Sequence, residues 1–248
     1  MFDISTVKKT KKAKAPKIVL AGPGKIGKTT FAASAPQAVG ILTEDGAHHV
    51  DANAFPVCST LAEVYECVST LLNEKHEFKT VFLDSLDWLE PMLHQKVCKE
   101  NNWDSIESPG YGKGYVAALE EWRVLLSGFD ALRDQRGMTV ILIAHDKIRH
   151  IENPMNEGYD AYSLKLHDKA SALVVEWADI VGFANHKVLT KTSDAGFGQK
   201  ETKAVSTGER VLYLEPHAAH CAGNRLGLKN TTLSWAALAD QLTKLTKE

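Results

Sequence analysis

The chain has 248 residues, 44% hydrophobic and 24% charged, enough for one well-buried α/β domain or at most two small ones. Its net charge is −2; the first 17 residues hold six lysines against Asp3, a net +5, which leaves −7 on the remainder. These values exclude a globally basic nucleic-acid surface, and no apolar stretch has the length of a membrane span.

Four cysteines, Cys58, Cys67, Cys98 and Cys221, form no CxxC pair, so free thiols in a reducing cytoplasm are expected. Residues 1–16 read as a flexible basic tail, or alternatively a solubilising leader, without the apolar core of a secretory signal. Residues 17–248 read as a single domain, in which short β-rich apolar runs alternate with helical periodicity. That alternation is the pattern of a parallel sheet flanked by helices.

The first strand is expected over Lys17–Ala21, followed by a glycine-rich turn and a helix from about Lys28 to Ser34, stopped by Pro36. A second strand, Val39–Thr43, ends at "TEDG". Thr60 and Glu63 form a capping box ahead of the stripe Leu61, Val64, Val68, Leu71 and Leu72. A third strand, Thr80–Leu83, runs into Asp84, and the helix after it carries Trp88 and Leu93, with Pro91 marking its start or a kink. Asn101–Tyr115 is polar and glycine-rich and reads as a loop. Leu119, Trp122, Leu126, Phe129 and Leu132 define the next helix, Gly137 ends it, and "MTVILIA" is a buried strand. Asp146–Tyr162, with Pro154 and Gly158, reads as a second long loop, and loops of that length usually serve function. "ADIVGFANHKVLTK" and "GERVLYLEP" read as an antiparallel pair, followed by a helix over Trp235, Leu238, Leu242 and Leu245.

Gly22-x-x-x-x-Gly27-Lys28-Thr29 fits the phosphate-binding loop pattern and lies between a strand and a helix, as that motif requires. Its glycines let backbone N–H groups curl around a β-phosphate at the positive end of the following helix. The candidate ATP-binding set is therefore Gly22, Pro23, Gly24, Lys25, Ile26, Gly27, Lys28, Thr29 and Thr30. Lys28 would bridge the β- and γ-phosphates, and the Thr29 hydroxyl would ligate Mg²⁺. Lys25 reads either as a phosphate or neighbour-subunit contact or as a solvated lysine. "TVFLD" delivers Asp84 to the carboxyl edge of the sheet, where open α/β sheets bind ligands, and Asp84 would hold the Mg²⁺. Hydrolysis also needs a group that orients or deprotonates water; the candidates are Glu44, Asp45, Asp87 and Glu90, with Glu44 preferred for its place beside the phosphate loop. His145 ends the strand "VILIAH" at the same edge, where an imidazole N–H could sense the γ-phosphate.

Tyr111, Lys113 and Tyr115 on a glycine-rich frame offer stacking and a cation, which suits single-stranded DNA. The second long segment adds Lys147 and Arg149 with Tyr159 and Tyr162, but its acids Asp146, Glu152, Glu157 and Asp160 equally suit a loop that orders on ATP or partner binding. His217, His220 and Cys221 are close together, but their spacing matches no standard zinc site. A small-molecule kinase would want an arginine-rich lid, and the sequence offers no such cluster.

On "GPGKIGKTT", "ILTEDG", "TVFLDS", "YGKGY", "VILIAH" and "AGNRLGL", the chain resembles the RecA-like P-loop ATPases from about Lys17 to Leu228. More narrowly, it is similar to the phage-encoded, core-only RecA-like proteins of the Sak single-strand annealing group. The resemblance implies an α/β RecA-like P-loop NTPase fold, a mostly parallel sheet flanked by helices with antiparallel strands toward the C-terminus. It implies Glu44 as catalytic base, His145 as γ-phosphate sensor, and single-stranded DNA carried by the two long segments. It further implies DNA-stimulated ATPase activity in recombination or annealing and a homo-oligomeric ring or filament. A single-strand binding protein would be a partner, and the bacterial host cytoplasm the compartment. Arg225 matches the arginine that reaches a neighbour's nucleotide in such motors, whereas the accompanying lysine position falls on Gly223. The alternative is a nucleotide-switched replication accessory or assembly factor that binds a protein instead of DNA.

Overall fold

The computed structural model describes Asp3 and residues 14–153, 157–194 and 200–245. The expected basic tail therefore lies mostly outside the described residues. In chain order the elements are β1 (Lys17–Ala21), α1 (Lys28–Ala33), β2 (Ala38–Leu42), β3 (Asn53–Ala54), α2 (Leu61–Asn73), β4 (Thr80–Asp84), α3 (Leu86–Asn101), α4 (Lys113–Arg136) and β5 (Thr139–Ala144). They continue with β6 (Asp146–Ile151), β7 (Tyr159–Leu164), α5 (Asp168–Trp177), β8 (Ile180–Asp194), β9 (Lys200–Tyr213), β10 (Gly223–Asn224), β11 (Thr231–Thr232) and α6 (Trp235–Leu245).

The continuous apolar runs become buried parallel strands, because a sheet covered on both faces has no use for polar alternation. β1, β2 and β4 are buried at every position. The main sheet has the order β11-β9-β8-β1-β5-β4-β2-β3, with β10 on β8. From β8 to β3 every pairing is parallel; β9, β10 and β11 add antiparallel strands. The fold is thus α/β, a mostly parallel sheet flanked by helices with antiparallel strands toward the C-terminus, as the resemblance implied.

Successive strand residues point to opposite faces, so each strand feeds two cores. Val19, Val81, Leu83, Val140 and Leu142 pack with Val64, Leu89, Leu93, Trp122 and Phe129 of α2, α3 and α4. Ile18, Leu20, Phe82, Ile141 and Ile143 pack on the other side with Phe31 of α1 and Trp235 and Leu238 of α6. Phe31 and Trp235 meet edge to face, with centroids 5.8 Å apart. The four cysteines are free thiols.

Three segments differ from the sequence expectation. α3 runs through Asn101 with Pro91 inside it, and α4 begins at Lys113, so the expected Asn101–Tyr115 loop shrinks to the connection between them. Asp146–Tyr162 is no loop: β6 and β7 form a hairpin, in register from Asp146↔Leu164 to Ile151↔Tyr159. Its polar side chains hide the strands, but the backbone is satisfied on two sides. Tyr162 N donates to Ala219 O, and Cys221 N donates to Tyr162 O, both at 2.9 Å. Helix α5 was not expected at all; its buried residues are Ala170, Ser171 and Val174, a short stripe with one polar member.

The capping box of α2 forms as read: Thr60 Oγ1 accepts from Glu63 N at 3.3 Å, and Thr60 N donates to Glu63 Oε2 at 3.0 Å. Thr60→Ala should lower unfolding free energy by about 1 kcal/mol. Urea titration should show an earlier midpoint with an unchanged slope.

Candidate nucleotide-binding site

Strand register sets the geometry. Ala21 pairs with Ala144, Leu42 with Asp84, and Asp84 with Ile143, so β1, β2, β4 and β5 end along one edge. The residues just beyond those ends are Gly22, Thr43, Ser85 and His145. At this edge lies a cavity of about 420 Å³ lined by Gly24, Lys25, Gly27, Lys28, Thr29, Thr30, Glu44, Asp84 and His145, among others.

Two glycines in the loop are sterically required. Gly22 has φ +154, and a Cβ there would lie 2.3 Å from the Ala184 carbonyl oxygen of β8. Gly27 has φ +107, and a Cβ would lie 2.6 Å from Arg210 Nη1. That guanidinium donates to Ile26 O at 3.1 Å, tying β9 to the loop. Lys25 also adopts a positive φ, +66, at the exposed tip of the loop.

Lys28 is buried, and its ammonium donates to Gly22 O at 2.7 Å and Pro23 O at 2.9 Å. Burial lowers its pKa, while Asp84, Asp146, Asp87 and Glu44 pull it back up. Thr29 Oγ1 donates to Asp84 Oδ2 at 2.6 Å. Burial pushes the Asp84 carboxyl up, and the Thr29 hydrogen bond acts in the opposite direction. A hydroxyl and a carboxylate side by side are hard oxygen donors, a set that suits Mg²⁺.

Of the four carboxylates considered as water base, Glu44 alone lines the cavity. Ser85 Oγ donates to its Oε1 at 2.9 Å. Asp45 is exposed and pairs with His48. Glu90 accepts from the backbone N–H of His167 at 2.9 and 3.1 Å, and Asp87 is engaged by His145. Sequence reasoning missed Thr43, whose Oγ1 accepts from Ser85 N and donates to Ser85 O, both at 2.8 Å. With Thr43 N donating to Asp84 O, this clasp fixes the strand end that carries the carboxylate.

The remaining candidates lie elsewhere. Tyr111 is fully exposed at φ +49, and Lys113 is the first residue of α4. Tyr115 is stacked on His167, with centroids 3.8 Å apart, and its hydroxyl donates to Glu107 at 3.0 Å. Lys147 donates to Leu166 O at 2.7 Å, and both Lys147 and Arg149 pair with Asp168. Arg225 follows β10, which pairs with the amino end of β8, and it holds Asp179 and the Glu176 carbonyl. It is therefore at the sheet edge opposite the cavity. His217 and His220 stack at 5.0 Å, and no three ligating side chains among the described residues cluster to hold a metal.

A parallel sheet whose first βα turn is this loop, with an acid at the end of β4 one strand beyond β5, defines a P-loop nucleotide-binding protein. The chain belongs to the AAA domain family, which it matches over residues 14–226. No curated protein matches it. Among solved structures it is similar to the crystal structure of the RadB recombinase, at 16% identity and a TM-score of 0.45, covering 85% of this chain and 86% of that one.

Lys28→Ala removes a buried cation that Asp84 and Glu44 of the cavity act on. ATP affinity, measured by calorimetry, should fall by about 10–100-fold.

Proposed function

We propose that the chain is a Mg²⁺-dependent RecA-like ATPase that works as an oligomer on single-stranded DNA, in recombination or annealing. The observation that carries the ATPase part is the convergence of Lys28, Thr29, Asp84, Glu44 and His145 on one cavity. The Sak-group assignment, a phage origin and the host cytoplasm belong to the same reading and rest on the sequence resemblance.

The chemistry follows from the groups in place. The loop amides and Lys28 take the phosphates, the ammonium exchanging its loop carbonyls for phosphate oxygens. Thr29 and Asp84 would hold Mg²⁺, which offsets charge on the β- and γ-oxygens when bound. Glu44 takes the proton of the attacking water, while its bond from Ser85 keeps one oxygen fixed and leaves the other for water. His145 contacts the terminal phosphate. Arg225 would act only at a neighbouring copy's site, since it lies at the far edge of its own sheet.

For DNA, the support is the fully exposed Tyr111 beside Lys113 at the start of α4. One observation favours the second reading, a nucleotide-switched accessory that binds a protein: Tyr115, Lys147 and Arg149 already have partners within the chain. ATP turnover with and without single-stranded DNA, alongside mass measurement of the assembly, separates the two. Stimulation by single strands with steep salt dependence fits the first; turnover indifferent to DNA removes it.

Glu44→Gln should keep ATP binding and slow hydrolysis by roughly 10²–10⁴-fold, read from phosphate release. Tyr111→Ala should weaken binding to labelled oligo-dT by about 5–100-fold in fluorescence anisotropy, the loss of one stacked base.

A further inference from the structure

Asp87 lies in the first turn of α3, three residues beyond Asp84, with its side chain 4% exposed. It has no place in the lining of the cavity, whereas His145 has. Its carboxylate accepts from the backbone N–H of His145 at 2.9 Å and faces His145 Nδ1 at 3.0 and 3.1 Å. The other ring nitrogen looks the opposite way: a Cβ on Gly24 would sit 3.9 Å from His145 Nε2. One imidazole thus spans the gap between a buried carboxylate and the phosphate loop.

We propose that Asp87 is a positioning residue, fixing His145 so that Nδ1–H is held by the carboxylate and Nε2–H is presented to the terminal phosphate. The assignment rests on the ATPase reading above and adds what makes His145 a donor. An ionised carboxylate only accepts, so the nitrogen it faces must carry a proton. With Nδ1 protonated, a neutral ring would turn the Nε2 lone pair toward phosphate oxygens, which repel it. The imidazolium has an N–H at both ends, one for each anion.

The surroundings bear on that charge from every side. Glu44 beyond β2 and Asp84 on β4 favour it, and Lys28 on α1 opposes it. Lys165, just after β7, approaches Asp87 Oδ2 at 4.0 Å, and Glu90 lies one turn further along α3. Asp146 follows His145 directly in the chain. The net result is a His145 pKa raised above the usual histidine range, chiefly by the Asp87 hydrogen bond against burial. Burial works against ionising Asp87, but its bonds from His145 hold the carboxyl low. With the folded pKa raised, the charged donor persists past about pH 6.5 and is lost as pH climbs through the raised value.

The test is MgATP turnover by the full chain from pH 5.5 to 9.5, for the unmodified protein, Asp87→Asn, His145→Gln and the double variant (~0.5-unit steps suffice for a titration limb). The unmodified protein should lose turnover on the alkaline side. Asp87→Asn should lower turnover near neutrality about tenfold and abolish that limb, because an amide can donate to Nδ1 and leave a neutral ring with Nε2–H. His145→Gln should also lack the limb, and Asp87→Asn should then cost several-fold less than it does beside His145. A limb unmoved in Asp87→Asn, or an equal loss in both backgrounds, overturns the proposal and leaves Asp87 a structural residue. A chain that binds and turns over no ATP overturns this assignment and the ATPase reading together. If Asp87→Asn does not fold, imidazole ¹⁵N shifts of the unmodified protein decide. His145, assigned by its loss in His145→Gln, should keep Nδ1 protonated throughout its titration; a neutral Nε2–H tautomer overturns the proposal.

Discussion

Everything in the site depends on the parallel pairing of β2, β4, β5 and β1, which ends four strands along one edge. Parallel ladders allow no tight hairpins, so each strand must leave that edge by a turn into a crossover. Four such turns gather around one cavity, and each contributes a different group: the phosphate loop, Glu44, Asp84 and His145. A one-residue slip of β4 against β5 would send Asp84 to the opposite face. The register is protected by burial on both sides, since Phe82 and Leu83 are each fully covered but belong to different cores.

Within that frame, the polar groups are held by one another. Asp84 is held by Thr29, the Asp84–Ser85 segment by Thr43, Glu44 by Ser85, and His145 by Asp87. Lys28 meets two carbonyls of its own loop. Buried ionisable groups are costly when left unpaired. Each of these has a short, directional partner.

The parts of this arrangement legible in the sequence are those encoded by local pattern. The phosphate loop is a contiguous string, and Asp84 and His145 each follow an apolar run whose end can be counted. The α2 capping box is a four-residue signal. What was hidden is set by long-range pairing. β6 and β7 look like a polar loop because their mostly exposed positions carry no apolar run, and the outer partners of Tyr162, Ala219 and Cys221, lie more than fifty residues away. α5 buries only a narrow stripe, so its period is faint. Asp87 was visible as an acid one turn past Asp84, but nothing local tells whether such a side chain faces the cavity or turns inward to a histidine 58 residues on. Tyr115 read as a free stacking ring for the same reason: His167, which occupies its face, is remote in the chain.

The placement of Arg225 has a bearing on symmetry. The phosphate loop is at the carboxyl edge of the sheet and Arg225 at the amino edge, pinned by Asp179. A copy that lent this arginine to a neighbour would set its amino edge against the neighbour's carboxyl edge, joining two unlike surfaces. A two-fold axis produces that contact only by making it twice, each copy's arginine at the other's cavity. Where the contact is made once per pair, the operator is a rotation that closes or a screw that does not. In the open case the two terminal molecules differ: one has a cavity that no arginine reaches, and the other an arginine with no cavity to serve. Such an assembly has a direction, and growth or loss at its two ends need not proceed alike.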